Sequence, residues 1–207
     1  MRQSLVLTLL SLLCAAPALA QTAPGLDPAL VRDQTSRLAA AVLGQICLIN
    51  IGDSAGTLAS AAPGGEFGFI DVPADVSAAL LGERSGSVRV LRRAGLGAIT
   101  LVVTQDGQCS VLAEFADPAA LRRYLVAMVE RGGLKDGGLL QPLDSRETEG
   151  MTLTDYALNP TGWFAKILAK RFGGDGSAPV AMMTLVSPPG RSAMEAVLSV
   201  RLVRDGK

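Results

Sequence analysis

Two cysteines constrain this chain of 207 residues more than any other feature. It holds three in all, Cys14, Cys47 and Cys109. Cys14 lies in a stretch that reads as removable. Arg2 precedes an apolar run from Leu5 to Ala16, and Pro17-Ala18-Leu19-Ala20 puts small residues at both recognition positions of an A-x-A cleavage site before Gln21. The run is shorter than the roughly 20 apolar residues that a membrane span needs. Residues 1–20 are therefore read as a cleaved secretory signal rather than an uncleaved anchor. A lipoprotein signal is disfavoured because Leu13 stands before Cys14, where a small residue is required. Export leaves Cys47 and Cys109 where thiol pairs oxidise and persist, which predicts one disulfide between them. Closing a loop of that length contributes about 4 kcal/mol in the chain-entropy picture, a large share of a net stability of about 5 to 15 kcal/mol. The competing readings are a redox-active dithiol, which the wide spacing disfavours against C-x-x-C, and two separate buried thiols.

Composition excludes several classes of function. The chain has no histidine, so Ser-His-Asp and Cys-His catalysis, His-bearing zinc sites and a histidine pH switch are ruled out within it. Its 19 basic and 19 acidic residues balance, and removing Arg2 with the signal leaves one acid in excess. Phosphate binding draws on a basic surplus, so nucleic acid is not an expected partner. Hydrophobic residues make up 49%, enough for a core and too many for a disordered tail. Later apolar stretches break on Gly, Pro or charge before reaching spanning length, so no transmembrane segment is expected in the mature chain. No cofactor or metal is expected either.

The pattern along the chain predicts an α+β fold. Residues 21–207 are read as one domain with an N-terminal helix at 27–47 stapled to it. Asp27-Pro28 supplies a cap and a proline at the first helical position, and Leu30, Val31, Leu38, Ala41 and Val42 recur at helical spacing. Residues 52–68, rich in Gly, Ala and Ser, read as loop, and 72–81 as a short helix. Strands are expected at 87–92, 98–104 and 109–115, the last two joined by an Asp106-Gly107 turn. In the third, Cys109, Val111, Ala113 and Phe115 share one face, the face on which the N-terminal helix should pack. Asp117-Pro118 opens a strong helix to about Arg131, and 134–150 reads as a Gly- and charge-rich connection. A strand at 151–158, a short helix from Trp163 to Phe172 and a strand pair at 180–186 and 196–203 complete the pattern. The sum is an antiparallel sheet of about five or six strands with helices on one face, and no repeat of solenoid type.

Two patches of sequence, Cys47 with Asn50-Ile51-Gly52-Asp53 and Asp106-Gly107-Gln108-Cys109-Ser110-Val111 with Asp117-Pro118-Ala119, resemble the pattern of small uncharacterised exported proteins of Gram-negative bacteria. The resemblance covers about a fifth of the mature chain. It implies periplasmic location and a Cys-Cys staple, and carries no activity with it.

The local motifs that hint at chemistry are weak when weighed residue by residue. Gly52-Asp53-Ser54-Ala55-Gly56 is similar to the nucleophile segment of trypsin-like proteases, but without an imidazole the serine proton has no acceptor, and loop chemistry is favoured. A Ser-Lys dyad with Lys135, Lys166 or Lys170 lacks S-x-x-K spacing. Asp71 with Asp75, and Glu147 with Glu149, could each share a face for acid-base work, though both pairs lie in polar surroundings. Gly173-Gly174-Asp175-Gly176 reads as a helix stop rather than a calcium loop. Arg89, Arg92 and Arg93 with Arg122 and Arg123 form either an anion-binding patch or the charged protection of an edge strand beside a solvated helix face. Trp163, Phe164, Ile167 and Leu168 could face a membrane surface, but docking on the sheet is the favoured reading. The resulting expectation is an exported (periplasmic or secreted), disulfide-stabilised module that binds a protein or small molecule in the cell envelope without catalysis. The alternative is a hydrolase or isomerase using carboxylates or a lysine.

Overall fold

The computed structural model describes residues 26–131, 139–148, 150–159, 165, 168–169, 180–187 and 194–203. The expected signal segment 1–20, Lys135, Glu149, Lys166, Lys170, Gly173–Gly176 and most of the expected helix at 163–172 lie outside these residues. The chain begins with α1 (Pro28–Val42), where the Asp27 carboxylate accepts from the Ala29 amide at 2.9 Å. This helix runs on into a π-helical segment, Leu43–Leu48, so the predicted helix over 27–47 is present with a widened last part. Gly44 leaves the space that Met128 fills: a Cβ there would stand 2.0 Å from the methionine sulfur.

Beyond the π segment come α2 (Ser54–Ser60), β1 (Ile70–Asp71), α3 (Ala74–Leu81), β2 (Gly86–Leu91), β3 (Ile99–Thr104) and β4 (Cys109–Glu114). Then follow α4 (Pro118–Arg131), β5 (Leu139–Thr148), β6 (Met151–Asn159), β7 (Val180–Ser187) and β8 (Met194–Val203). All strand pairings are antiparallel, in the order β1-β2-β3-β4-β8-β7-β6-β5. The fold class is α+β as the pattern predicts, but among the described residues the sheet has eight strands, not five or six. The two additional strands are its edges. β1 is two residues long, and β5 lies inside what reads as a connection, because an edge strand exposed on both faces needs no apolar alternation. Pro142 fits there, since an edge strand can spare an N–H. The expected loop at 52–68 likewise contains a helix, α2, capped by Asp53, whose carboxylate accepts from Gly56 N at 2.8 Å.

Residues paired across strands share a face. Leu101, Val111, Leu198, Leu185 and Met183 all lie on one face and are buried together with Val42, Leu43, Ile46, Leu121 and Leu125 from α1, the π segment and α4. Burying these side chains is worth about 1.5 to 3 kcal/mol each. Buried hydroxyls of α1 tie it to the chain beneath. Thr35 Oγ1 accepts from Gly97 N at 3.1 Å, and Ser36 Oγ accepts from Asp117 N at 2.9 Å. Tyr124 and Arg123 of α4 both donate to Asp33 of α1, at 2.6 and 3.1 Å. The hydrogen bond to Asp33 and burial raise the Tyr124 pKa. α3 departs from the expectation of helices on one face only. A Cβ on Gly86 would point to the opposite face and meet Leu81 of α3 at 2.8 Å.

The two halves of the chain share an order. Each opens with Asp-Pro-Ala, and each aspartate accepts from the alanine amide two residues on, at 2.9 Å in both cases. Four antiparallel strands follow each helix, and the last strand of one half, β4, pairs with the last of the other, β8, at the centre of the sheet.

Candidate functional site

The predicted disulfide is present: Cys47 at the end of the π segment joins Cys109 at the start of β4, with 5.6 Å between their Cα atoms and a sequence separation of 62. Around it the two patches singled out in the sequence form a single corner. Gly107, at φ 85°, lies so close to Gly52 that a Cβ would stand 3.0 Å from the Gly52 Cα. Ser54 Oγ donates to the Thr104 carbonyl at 2.7 Å, and Asn50 Nδ2 donates to Ile46 O and Ser60 Oγ, both at 2.9 Å. The Gly-Asp-Ser segment is therefore a helix cap and a strand tie. At the adjacent turn, the hydrogen bond from Thr104 holds Asp106 below the ordinary carboxylate pKa against desolvation, helped by the Gln108 amide and the Arg84 charge.

The other sequence candidates do not come together. Asp71 pairs with Arg89 at 3.2 Å. Arg89 lies on the core face of β2, opposite Leu101, and its side chain is 16% exposed, so it neither guards an edge nor joins a basic patch. It donates to the carbonyls of Leu58 and Ala61 at the end of α2. Arg123 is engaged with Asp33.

A different constellation stands on the second face of the sheet. Asp144, Asp155, Thr184, Ser199 and Ser110 are register partners in turn across β5, β6, β7, β8 and β4, and so form one straight polar row. Arg146 Nη1 donates to Asp155 Oδ2 at 2.6 Å, Thr184 Oγ1 donates to Asp155 Oδ1 at 2.6 Å, and the Ser110 and Ser199 hydroxyls are 2.8 Å apart. Gln108 extends the chain, donating to Ser110 at 3.2 Å and accepting from Arg84 at 3.2 Å. Beside the polar row runs an apolar one, Leu153, Val186, Val197 and Leu112, each half-buried. Among the described residues no helix packs on these strands from this side.

Asp155 is the buried charge of the row, its side chain 9% exposed. Burial pushes its pKa up, but the hydrogen bonds of Thr184 and Arg146, with the charges of Arg146 and Arg201, outweigh burial and hold it below the ordinary carboxylate value. Such a carboxylate is an acceptor and an anchor at neutral pH, and a poor proton donor. The sequence marks it only as a charged residue inside the apolar alternation of Met151 to Leu158. Because its folded pKa is depressed, its contribution is complete above its unfolded value near 3.8 and is lost as pH falls through the folded one. Asp155→Asn is expected to cost about 1 to 2 kcal/mol at pH 7, with the gap to the unsubstituted protein narrowing at pH 3, as read by urea denaturation at both values.

Compared with known protein families, curated protein sequences and solved structures, the chain matches none. No helix among the described residues is long and apolar enough to cross a membrane, and no group of three or more potential metal ligands occurs among them.

Proposed function

We propose that this is an exported, disulfide-bonded binding module of the cell envelope, periplasmic or secreted, that engages its ligand with the second face of its sheet. The observation that carries this reading is the pairing of a half-buried apolar row with a hydrogen-bonding row across β4, β8, β7 and β6, on a side where no described helix covers them. A solvated face of an antiparallel sheet is ordinarily polar throughout. An apolar strip beside fixed donors and acceptors suits a partner that is apolar on one edge and polar on the other. The alternative, catalysis by carboxylates, asks for a pair whose pKa values are pushed apart. Here Asp144 and Asp155 face one another across the strands, but both lie within reach of Arg146, at 3.7 and 2.6 Å, and Asp155 is held ionised.

The test is photo-crosslinking in the envelope from a benzophenone side chain placed at Val186, with Ser77 on α3 as the control position. A discrete crosslinked product from residue 186 and none from residue 77 is expected. Equal labelling at the two sites, or a mature chain found in the cytoplasm, would remove the proposal.

A further inference from the structure

The two ends of the sheet are unlike. One end is closed by the two residues of β1, whereas β5 spans Leu139–Thr148 and is exposed from residue 141 to residue 148. Among the described residues no strand pairs with its outer side. Leu143, which bulges where the β5–β6 register shifts between Pro142 and Asp144, is 56% exposed.

The backbone of β5 sets what can pair with it. Thr148 and Met151 are register partners with two residues between them in sequence, and a pair at that spacing exchanges hydrogen bonds. Alternate pairs do the same, so Arg146 and Asp144 turn their N–H and C=O groups toward β6. Ser145 and Glu147 turn theirs outward, where among the described residues they meet no strand. The Ser145 and Thr154 hydroxyls, 3.4 Å apart, fit the closer side-chain approach of a pair that exchanges no backbone bonds.

We propose that the protein self-associates by antiparallel pairing of β5 with β5 of a second copy, centred on Ser145. At this centre the outward groups of Ser145 meet those of its equivalent, giving two reciprocal backbone bonds. Asp144 then stands opposite Arg146 of the second copy, and Arg146 opposite Asp144, so the strand is its own charge complement. A centre on Glu147 sets like charges together, and a centre on Arg146 offers backbone groups already turned to β6. Pro142 and the bulge blunt the other half of the edge against further pairing. This contact lies on the outer edge of β5, whereas the ligand face proposed above spans β4, β8, β7 and β6, and Arg146, which holds Asp155, borders both.

A single strand pair buries less than the about 1,000 Å² of a stable complex, so a dissociation constant on the order of 100 µM is expected. Sedimentation equilibrium of the disulfide-bonded protein is expected to show a monomer and dimer in that range. Ser145→Pro removes an N–H that β6 does not use, and should give a folded monomer. Ser145→Cys should cross-link to itself on mild oxidation, whereas Glu147→Cys, whose equivalents lie apart, should not. A protein that stays monomeric to 1 mM, at about ten times the expected constant, overturns the proposal. So does a dimer indifferent to Ser145→Pro, equal cross-linking from both cysteines, or a Ser145→Cys product with a different protein.

Discussion

Replacing Cys47 and Cys109 together by alanine is expected to lower the unfolding free energy by about 4 kcal/mol at 25 °C. The bridge closes a loop of 62 residues that contains α2, α3 and three strands, and it joins the π segment to the middle of the sheet. Most of the effect lies in the unfolded chain, which without the bond is free to expand, so the urea m-value should rise as the midpoint falls. Alanine is the right substitution, because residues 47 and 109 are 0% and 2% exposed and a serine hydroxyl there would need a partner. Equilibrium denaturation of the two proteins reads the difference directly. A loss below about 1 kcal/mol would mean that residual clustering of Leu43, Ile46 and Leu48 with strand residues persists in the unfolded chain and restricts it as the bond does.

The parts of this fold that were legible in the sequence are those where local chemistry and tertiary packing agree. Asp27-Pro28 and Asp117-Pro118 cap helices as their composition says, and the alternation of Ile99, Leu101 and Val103 places those residues in the core. The cysteine pair is legible on the expectation that Cys14 is removed, and not through spacing. β1 and β5 were not legible, since a strand at an edge carries Asp144, Arg146 and Glu147 where a central strand would carry branched apolar residues. Arg89 is opaque to the sequence for the complementary reason. Charge in a strand usually marks exposure, and only the position of α2 explains an arginine turned inward.

The duplicated order was equally hidden, because the halves agree in topology and in little else. Asp-Pro-Ala recurs at 27–29 and 117–119, but α3 interrupts the first half between its first two strands, while in the second half Thr148 and Met151 join β5 to β6 directly. The polar row crosses the central junction, with Ser110 from the first half and Ser199 from the second at register partners. A surface assembled from both halves in this way has no contiguous sequence signature. Asp155 lies 29 residues before Thr184, an interval far longer than any local motif, and Ser199 follows on the next strand.

Arg89→Ala is expected to cost about 3 kcal/mol, while Asp71→Asn, which removes the formal ion-pair partner, is expected to cost less than about 0.5 kcal/mol. The difference follows from burial. Asp71 is 71% exposed, so its pair with Arg89 is screened by water and salt. The arginine side chain is 16% exposed, and its guanidinium also donates to the carbonyls of Leu58 and Ala61 at the end of α2, where the helix dipole places negative charge and no following turn supplies an amide to Leu58. Truncation leaves those carbonyls without a donor and removes the aliphatic stem that packs opposite Leu101. Arg89→Met separates the two effects by keeping the stem, and about 2 kcal/mol of the loss should remain. Urea denaturation of the three variants reads the order Ala, Met, Asn. Equal losses for Arg89→Ala and Asp71→Asn would show that the ion pair, and not the capping of α2, is what holds this arginine inside the fold.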